Sequence, residues 1–250
     1  MDISELKRNN RIEINRHPWE GARLKVIQHL LVKHKKKFNH ILDIGSGDAF
    51  VIKSLHKSKL ANHYTGIDTA FSDDLIDLLQ GDQNVHLLAA MPANLEPGAD
   101  CVLMLDVLEH CEDDYHTLQT IVNGGFIKQN AFVLITVPAF QSLYSQHDDL
   151  LGHFRRYNYK QLKKLCEKNN LIVIDGGYFF STLLILRCLQ LIQEKIKHRK
   201  IRKTVEDWKG SKWLTKTLEI FLYIDFLISR AFLRLGVRIP GLSAYSICRL

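Results

Sequence analysis

A glycine turn at residues 43–48, Asp-Ile-Gly-Ser-Gly-Asp, has the residue types of a nucleotide-binding loop. It follows an apolar run at 40–44 and precedes a helical pattern at 51–55. Gly45 and Gly47 allow the backbone to turn tightly and to approach a ligand closely. The start of the next helix presents unpaired N–H groups to an anionic group such as a carboxylate. Alone, such a turn is more typical of an ordinary strand–helix loop.

The residues around the turn favour a cationic nucleoside over a dinucleotide. A dinucleotide turn needs a small residue where the helix packs on the strand, and Phe50 stands there. Asp43 and Asp48 would repel a pyrophosphate but suit S-adenosylmethionine, which carries an ammonium and a sulfonium. Asp68 ends a second apolar run about twenty positions later, where a carboxylate can bind both ribose hydroxyls. Together these residues predict a nucleoside site.

The elements that must position these residues alternate between strand and helix. Short apolar runs at 40–44, 64–67, 85–89, 101–105, 132–137 and 171–174 are separated by amphipathic stretches. This alternation predicts a doubly wound, mostly parallel α/β sheet with helices on both faces. Ligands bind such sheets beyond the carboxyl ends of the strands, where the turn and Asp68 both lie.

Three regions are predicted along the chain. Residues 1–37 form an N-terminal helical segment, and residues 38–177 with 241–250 form the cofactor-binding core. Residues 178–240 form a helical insertion with apolar runs at 179–192 and 213–235, and 242–248 is the last strand. Charged residues interrupt both runs, so neither is predicted to span a bilayer. The insertion is predicted to be a cap or a membrane-surface element, or else two ordinary core helices with a solvated link.

Four segments, LDIGSGDAF, YTGID, ADCVLMLDVLEH and FVLITVPA, resemble the successive motifs of the class I S-adenosylmethionine-dependent methyltransferases. The resemblance covers residues 38–177 and implies a Rossmann-like sheet of seven strands, with the last strand antiparallel and inserted between strands five and six. Two departures are Ala49, where a third glycine is usual, and the lack of an acidic residue at 89–91. The resemblance also implies cofactor contacts: the amino-acid end at Asp43, Gly45, Ser46 and Gly47, the ribose at Asp68 and Thr69, the adenine at Ala90 and Met91, and the methionine side at Leu105 and Asp106.

The loop after the fifth strand is predicted to hold the methyl acceptor. If the acceptor is a hydroxyl or a phenol, His147 or His153 is the natural general base, with Asp148 as its orienting partner. The loop resembles an HDxxLGHxRRY segment of a bacterial subgroup that is linked to lipid, glycan or polyketide-type pathways, and residues 16–20, RHPWE, resemble a second segment of that subgroup. The predicted substrate-binding residues are Tyr144, Arg155, Arg156, Tyr157 and Trp19. For each histidine or arginine of the loop singly, helix capping or pairing within the protein is slightly favoured, whereas the loop as a whole favours function. Trp19 is as well suited to pin the N-terminal helix as to cover the cofactor.

Charge and cysteine content limit partners and compartment. Residues 195–216 contain nine Lys or Arg and two acidic residues, a balance of +7 that equals the formal charge of the whole chain. Such a stretch can attract anionic lipid, an acidic carrier protein or nucleic acid, or be a solvated helix face. The five cysteines form no CxxC pair, so we predict no metal site, no disulfide framework and a cytoplasmic location, with peripheral attachment to the inner membrane face as an option. The polar N-terminus predicts no export.

Three functional hypotheses follow. The first is a methyltransferase acting by in-line displacement on a small-molecule, lipid-type or carrier-bound acceptor, with O- or C-methylation favoured. The second is a nucleic-acid methyltransferase, which the basic stretch allows but which is disfavoured because the chain lacks an Asn/Asp-Pro-Pro-aromatic signature and a Pro-Cys pair. The third is a non-catalytic nucleoside-binding protein of the same fold, against which the polar loop at 144–157 argues.

Overall fold

A computed structural model describes residues 16–79, 84–92, 95–197 and 208–250 of the 250-residue chain. Over these residues it contains one seven-stranded sheet with the order β3-β2-β1-β4-β5-β7-β6. β1 to β5 pair in parallel, and β7 runs antiparallel between β5 and β6. The predicted sheet, including its antiparallel last strand, is confirmed. The strands are β1 (His40–Ile44), β2 (His63–Ile67), β3 (Val85–Leu88), β4 (Ala99–Leu105), β5 (Ile127–Pro138), β6 (Ile172–Phe179) and β7 (Ser243–Arg249).

The helices alternate with the strands as predicted, and two longer ones lie between β6 and β7. They are α1 (Pro18–His34), α2 (Phe50–Lys57), α3 (Asp73–Leu79), α4 (Asp114–Val122), α5 (Gln146–Leu151), α6 (Tyr159–Lys168), α7 (Ser181–Lys197) and α8 (Lys212–Arg234). Short 3-10 segments cover Leu108–His110 and Gln141–Leu143. Of the predicted N-terminal segment, residues 1–15 lie outside the described residues, as do residues 198–207 of the basic stretch.

Both faces of the sheet are buried because successive residues of a strand point to opposite sides. On one side, Ile41 and Leu103 pack with residues of α1, α2 and α8. On the other side, Leu42 and Val102 pack with α4 and α6. The central strands are apolar throughout, as is typical of parallel strands covered on both faces.

The N-terminal helix and the insertion lie against each other on the first side of the sheet. Lys25 of α1 forms an ion pair of 2.9 Å with Glu219 of α8, and His29 Nδ1 lies 2.9 Å from the Tyr223 hydroxyl. Buried residues of both helices belong to the same hydrophobic core as β1 and β4. In the part of the chain that the structure describes, no helix is long and apolar enough to cross a membrane.

The parallel strands bring the predicted site residues to one edge. Ile44 of β1 is in register with Ile67 of β2 and Met104 of β4, and Leu105 is in register with Thr136 of β5. The residues that follow these strands therefore lie side by side at the carboxyl edge. This edge is where a doubly wound sheet binds its ligands.

Candidate functional site

The glycine turn after β1 has the left-handed backbone that glycine permits. Gly45 has φ +72° and Gly47 has φ +56°. The amides of Gly45 and Ser46 both donate to the Ile67 carbonyl, at 2.8 and 2.9 Å, which fixes the turn against the end of β2. A Cβ at Gly45 would lie 2.5 Å from Cγ2 of Val107, so a larger residue is excluded on steric grounds as well.

The carboxylates of Asp43, in the turn, and Asp68, after β2, differ in their environment. Asp43 is 1% exposed and accepts a hydrogen bond of 3.0 Å from Ser46 Oγ. Burial raises the pKa of Asp43 to about 7, although the bond from Ser46 partly offsets this. Asp68 accepts from the Gly47 amide at 2.8 Å and from the Ala70 amide at 2.9 Å, and its side chain is only partly buried. The site therefore contains Asp43, a buried acid of the turn with a pKa near neutrality, and Asp68, a more accessible acid after β2.

The end of β4 is joined to the N-terminal helix. Asp106 has φ +57°, an uncommon conformation for a residue other than glycine and one that clusters at functional sites. Its carboxylate pairs with Arg23 Nη1 at 2.9 Å and accepts from Thr136 Oγ1 at 2.9 Å. Arg23 Nη2 also donates to Thr136 Oγ1 at 3.1 Å. An arginine of α1 thus reaches the methionine side of the predicted cofactor site.

The residue just before the helix contacts the turn itself. Arg16 forms ion pairs with Asp48 and with Glu20, and its guanidinium lies 3.7 Å from the centre of the Phe50 ring. The start of α1 is fixed by a capping box, in which the His17 side chain and Glu20 satisfy each other's backbone amides. The RHPWE segment therefore has a structural role against the glycine turn. Trp19 is partly buried and packs on the adjoining core.

Asp148 is the centre of the predicted acceptor loop. It is fully buried and accepts from His153 Nδ1 at 2.9 Å, from Arg156 Nε at 2.7 Å and Nη2 at 3.1 Å, and from the Ser145 amide at 3.0 Å. Burial alone would raise its pKa, but the hydrogen bonds from His153 and Arg156 outweigh burial and hold the pKa well below its usual range. The carboxylate is ionised at neutral pH and orients His153.

The other histidine of the loop has a different environment. His147 is partly buried, and burial lowers the pKa of its imidazole below the usual value. Arg187 and Arg156 lower it further, while Asp148 opposes them. His147 is therefore neutral at pH 7 and able to accept a proton. Arg187, on α7, also donates to Ser145 Oγ at 2.7 Å, so the helical insertion touches the acceptor loop.

The remaining predicted acceptor residues are engaged within the protein. The Tyr144 hydroxyl lies 2.8 Å from Asp149 Oδ1 and 2.6 Å from the His153 carbonyl oxygen, and it can donate its one proton to either. Tyr157 is 4% exposed, and its hydroxyl bonds to Asp114 at 2.7 Å, which raises its pKa together with burial. Arg155 pairs with the same Asp114 at 3.2 Å. These contacts attach the loop to the segment after β4; the substrate-binding role of these residues stays a prediction.

A surface pocket of about 360 Å³ opens beside the loop. Several of its lining residues are cationic or carry amides, which suits an anionic or polar group. Three predicted acceptor residues take part in it, although Arg156 is mostly turned towards Asp148. The lining residues are Asp114, Gln141, Arg155, Arg156, Tyr157, Gln161, Lys164, Leu165 and Lys168.

Glu109 and His110 follow β4 and lie against His153. Glu109 is 0% exposed, neither of its carboxylate oxygens has a hydrogen-bond partner, and burial raises its pKa well above the usual value. The rings of His110 and His153 meet edge to face, with centroids 4.6 Å apart. The acceptor loop thus meets the end of β4 at a cluster of three titratable side chains.

The structure places the other predicted cofactor residues around the same edge. Leu105 is buried beside Asp106, and Met91 is partly buried against the core of the second sheet face. Thr69 and Ala90 are exposed after β2 and β3. Arg23, Thr136 and Glu109 were not predicted as site residues. Arg23 gave no signal, because it reaches the site only through tertiary packing. Thr136 lies in the FVLITVPA motif and Glu109 in the ADCVLMLDVLEH motif, so both could have been found there.

Comparisons with known proteins agree on the family. The model of the family described as "Methyltransferase domain" matches residues 17–175, more than half of the chain. No curated protein matches this chain in sequence.

Solved structures share the fold at low identity. A protein assigned as a sarcosine dimethylglycine methyltransferase from Galdieria sulphuraria is 13% identical, with a TM-score of 0.55 over 92% of this chain and 84% of that one. Phosphoethanolamine N-methyltransferase 2 from Haemonchus contortus, in complex with S-adenosyl-L-methionine, is 16% identical, with a TM-score of 0.54 over 96% and 54%. A SAM-dependent methyltransferase from Archaeoglobus fulgidus is 15% identical, with a TM-score of 0.50 over 91% and 94%. The chain belongs to the methyltransferase domain family, which confirms the predicted enzyme class and, with it, S-adenosyl-L-methionine as the methyl donor.

Proposed function

We propose that this methyltransferase transfers the methyl group of S-adenosylmethionine to an oxygen or carbon atom of a small, lipid-type or carrier-bound acceptor. The observation that carries the proposal is the His153–Asp148 pair, which lies at the same sheet edge as the glycine turn. A histidine held by a buried carboxylate is a typical device for removing a proton from an acceptor. Because the sulfonium itself supplies the electrophile, the protein has mainly to position the acceptor and exclude water.

Two histidines are suited to be the general base, as the sequence predicts. His153 has Nδ1 bonded to Asp148, which leaves Nε2 as the acceptor of a proton. His147 is neutral at pH 7 because burial lowers its pKa. The base removes the proton from the acceptor, the acceptor atom attacks the methyl carbon, and the electron pair of the carbon–sulfur bond stays with sulfur. S-adenosylhomocysteine and the methylated acceptor are the products.

The cofactor lies along the carboxyl edge of the sheet, where each of its parts contacts the residues that follow a particular strand. Gly45, Ser46 and Gly47 with Asp43 bind the amino-acid end, and Asp68 binds the ribose. A carboxylate offers about four acceptor positions, and two of those on Asp68 are used by backbone amides, so two remain for the hydroxyls. Asp68 and Thr69 therefore bind the ribose, Ala90 and Met91 flank the adenine, and Leu105 and Asp106 line the methionine side.

Calorimetry with S-adenosylhomocysteine tests the cofactor site. We expect Asp68→Ala to weaken binding by about 10- to 100-fold, because hydrogen bonds to a charged group contribute roughly 1.5–3 kcal/mol. Asp74→Ala is the matched control, since Asp74 is an exposed aspartate on the next helix. Binding that is absent in the native protein, or equal in native and Asp68→Ala protein, would contradict the proposal.

The insertion supports a lipophilic acceptor at a membrane surface. α7 and α8 expose a set of large apolar side chains, including Leu186, Leu189, Phe221 and Ile224, which are 47–51% exposed. Residues 195–216, which run in the sequence from the last residues of α7 to the first of α8, carry a formal balance of +7. Apolar side chains flanked by cations are typical of surfaces that bind anionic bilayers. The resemblance of the RHPWE and HDxxLGHxRRY segments to a subgroup linked to lipid, glycan or polyketide-type pathways favours the same acceptor class.

Vesicle sedimentation tests the membrane surface. At low salt we expect binding to vesicles that contain phosphatidylglycerol and little binding to pure phosphatidylcholine vesicles. The double variant Leu189→Gln, Phe221→Gln should lose binding, whereas Val32→Gln, which changes an exposed apolar residue of α1, should keep it. Equal binding to both vesicle types, or an unaffected double variant, would reject this part of the proposal. Binding of an acidic carrier protein or of oligonucleotides in its place would support another partner.

The cationic pocket supports an acceptor with an anionic part. Lys164 and Lys168 of α6 line it together with Arg155. If an anionic acceptor uses this pocket, Lys164→Ala with Lys168→Ala should raise KM for that acceptor and leave cofactor binding unchanged. Lys160→Ala with Lys163→Ala is the matched control on the same helix. A KM that responds equally to both pairs would contradict the assignment.

A further inference from the structure

Glu109, His110 and His153 form a cluster whose ligand atoms converge. Each residue offers one such atom, and the three atoms lie within 4.8 Å of one another. Glu109 and His110 end the short segment after β4, and His153 follows α5. The Phe154 amide donates to the Glu109 carbonyl at 2.7 Å, so the two segments are joined at the cluster. A backbone hydrogen bond between the two segments therefore helps to hold the three side chains close together.

The carboxylate of Glu109 lacks partners in the described part of the chain. It is 0% exposed, and neither oxygen has a hydrogen-bond partner. An unpaired buried carboxylate is costly, and buried charges in proteins are normally paired or coordinate a metal. The cluster next to it contains two imidazoles, which in their neutral form are metal ligands. A bound cation would give one Glu109 oxygen a partner and would compensate the charge of the carboxylate.

His153 already has a hydrogen bond to a carboxylate, as is typical of histidines that bind metals. Its Nδ1 lies 2.9 Å from Asp148 Oδ1, which leaves Nε2 for a ligand. Histidines that bind metals almost always donate their other N–H to a carboxylate, a carbonyl or water. Asp148 in turn is held by Arg156 and by the Ser145 amide. Ligands at about 2.0–2.2 Å from an ion lie roughly 3–4 Å apart, so small side-chain rotations close the site.

We propose that Glu109, His110 and His153 bind one divalent transition-metal ion. Two imidazole nitrogens and one carboxylate oxygen suit ions of the manganese-to-zinc series better than Mg²⁺ or Ca²⁺, which prefer oxygen ligands alone. Three protein ligands leave positions open, as in catalytic sites. No metal site was predicted from the sequence, since none of its cysteines is paired and the third ligand is distant along the chain.

The ion rests on the proposed function and deepens it for an acceptor oxygen, because it makes His153 a ligand and leaves His147, the other proposed base, to remove the proton. A hydroxyl of the acceptor that coordinates the ion has a lowered pKa and loses its proton more readily. His147, which lies six residues before His153 in the same loop, is the histidine left to accept that proton. The acceptor oxygen next forms a bond to the methyl carbon, the carbon–sulfur bond breaks, and its electrons stay on sulfur. The metal thereby assigns separate roles to the two histidines of the loop.

Titration with Co²⁺ tests the site on the full chain, after removal of any affinity tag and of bound metal by a chelator. We expect one Co²⁺ per chain with visible absorption bands, displacement by Zn²⁺ and no displacement by equal Mg²⁺. Glu109→Gln, His110→Ala and His153→Ala should each weaken binding by at least about 10-fold. His110 is exposed, so its variant should fold even if the other two do not.

Two controls decide the outcome. His147→Ala and His116→Ala should bind Co²⁺ as the native protein does, because neither residue belongs to the cluster. The proposal is overturned if no saturable site appears, or if His110→Ala binds like the native protein. Calorimetry with S-adenosylhomocysteine on the metal-free protein separates the two proposals: cofactor binding without a Co²⁺ site rejects the metal alone, and a Co²⁺ site without cofactor binding rejects the proposed cofactor site alone.

Discussion

Replacing Asp148 should destabilise the protein more than any exposed acidic substitution. The Asp148 carboxylate is fully buried and pairs with Arg156, which is itself only 8% exposed. Asp148→Ala leaves that guanidinium buried without a counter-charge, and removing one partner of a buried pair costs about 3–5 kcal/mol. For a domain of this size each kcal/mol lowers the melting temperature by about 2–4 °C, so we expect a decrease of about 6–20 °C.

Urea unfolding and calorimetry measure the effect, with Asp149→Ala as the control. Asp149 is an exposed neighbour that accepts only from Tyr144, so its loss should change stability by less than about 0.5 kcal/mol. Arg156→Met with Asp148→Ala removes both charges, and the double variant should be at least about 1 kcal/mol more stable than the sum of the single losses. Equal stability of Asp148→Ala and Asp149→Ala, or strict additivity, would refute the argument.

The Asp148–Arg156 ion pair also predicts how the stability of the protein changes with pH. The pKa of Asp148 in the folded protein lies below its value in the unfolded chain, because His153 and Arg156 stabilise the carboxylate against the effect of burial. Its contribution to stability is therefore complete above the unfolded pKa of about 3.9 and is lost as the pH falls below that value. The difference in stability between native protein and Asp148→Ala should stay constant from pH 5 to pH 8, which unfolding curves across that range measure directly.

Three further predictions concern other buried charges. Because burial raises the pKa of Asp43 to about 7, the stability of the ligand-free protein should decrease as pH rises from about 4, near the pKa of an unfolded aspartate, to about 7, and should level off above 7. Affinity for the ammonium-bearing cofactor should increase as pH rises through 7, and Asp43→Asn should flatten both profiles in unfolding and calorimetry. Arg23→Ala should weaken S-adenosylhomocysteine by about 10-fold but not methylthioadenosine, which lacks the amino-acid end, because it removes from the methionine side a cation able to pair with the ligand's carboxylate; an equal loss for both ligands would contradict this. Asp175→Ala should cost about 3–5 kcal/mol in urea unfolding, because it leaves the buried Arg230 without the carboxylate that lies 2.6 Å away, while S-adenosylhomocysteine affinity stays unchanged.

Much of the fold could be predicted because its signals are local. The apolar runs at 40–44 and 101–105 are short, continuous and separated by amphipathic stretches, which is the pattern of buried parallel strands. Strand boundaries were less accurate: β5 begins at Ile127, because polar residues at 128–130 hide its start, and β6 continues to Phe179 through two glycines. The antiparallel last strand followed from the family resemblance and not from its own sequence pattern.

The contacts that complete the site could not be predicted in this way. Arg23 contacts Asp106 and Thr136 in space but lies far from both along the sequence, 113 residues from Thr136, and helical spacing alone does not reveal these contacts. Whether an arginine reaches an adjacent strand end depends on how α1 packs against the sheet, which is determined by buried residues far from the site. For the same reason the sequence left His147 and His153 equivalent, and only the burial of Asp148 beside His153 distinguishes them.

Two buried carboxyl groups with oxygens that lack a hydrogen-bond partner lie at the same edge of the sheet as the motifs. Among the described residues, the buried carboxylate oxygens without a hydrogen-bond partner belong to Asp43 and Glu109. Buried polar atoms are normally satisfied, as Asp148 and Asp175 are by their arginines, so such exceptions require a reason. Asp43 lies at the amino-acid end of the cofactor site and Glu109 lies beside the acceptor loop. A cationic ligand at each site would supply the missing partner. Because these oxygens have no partner to give up in the free protein, their new interactions would contribute to the free energy of binding.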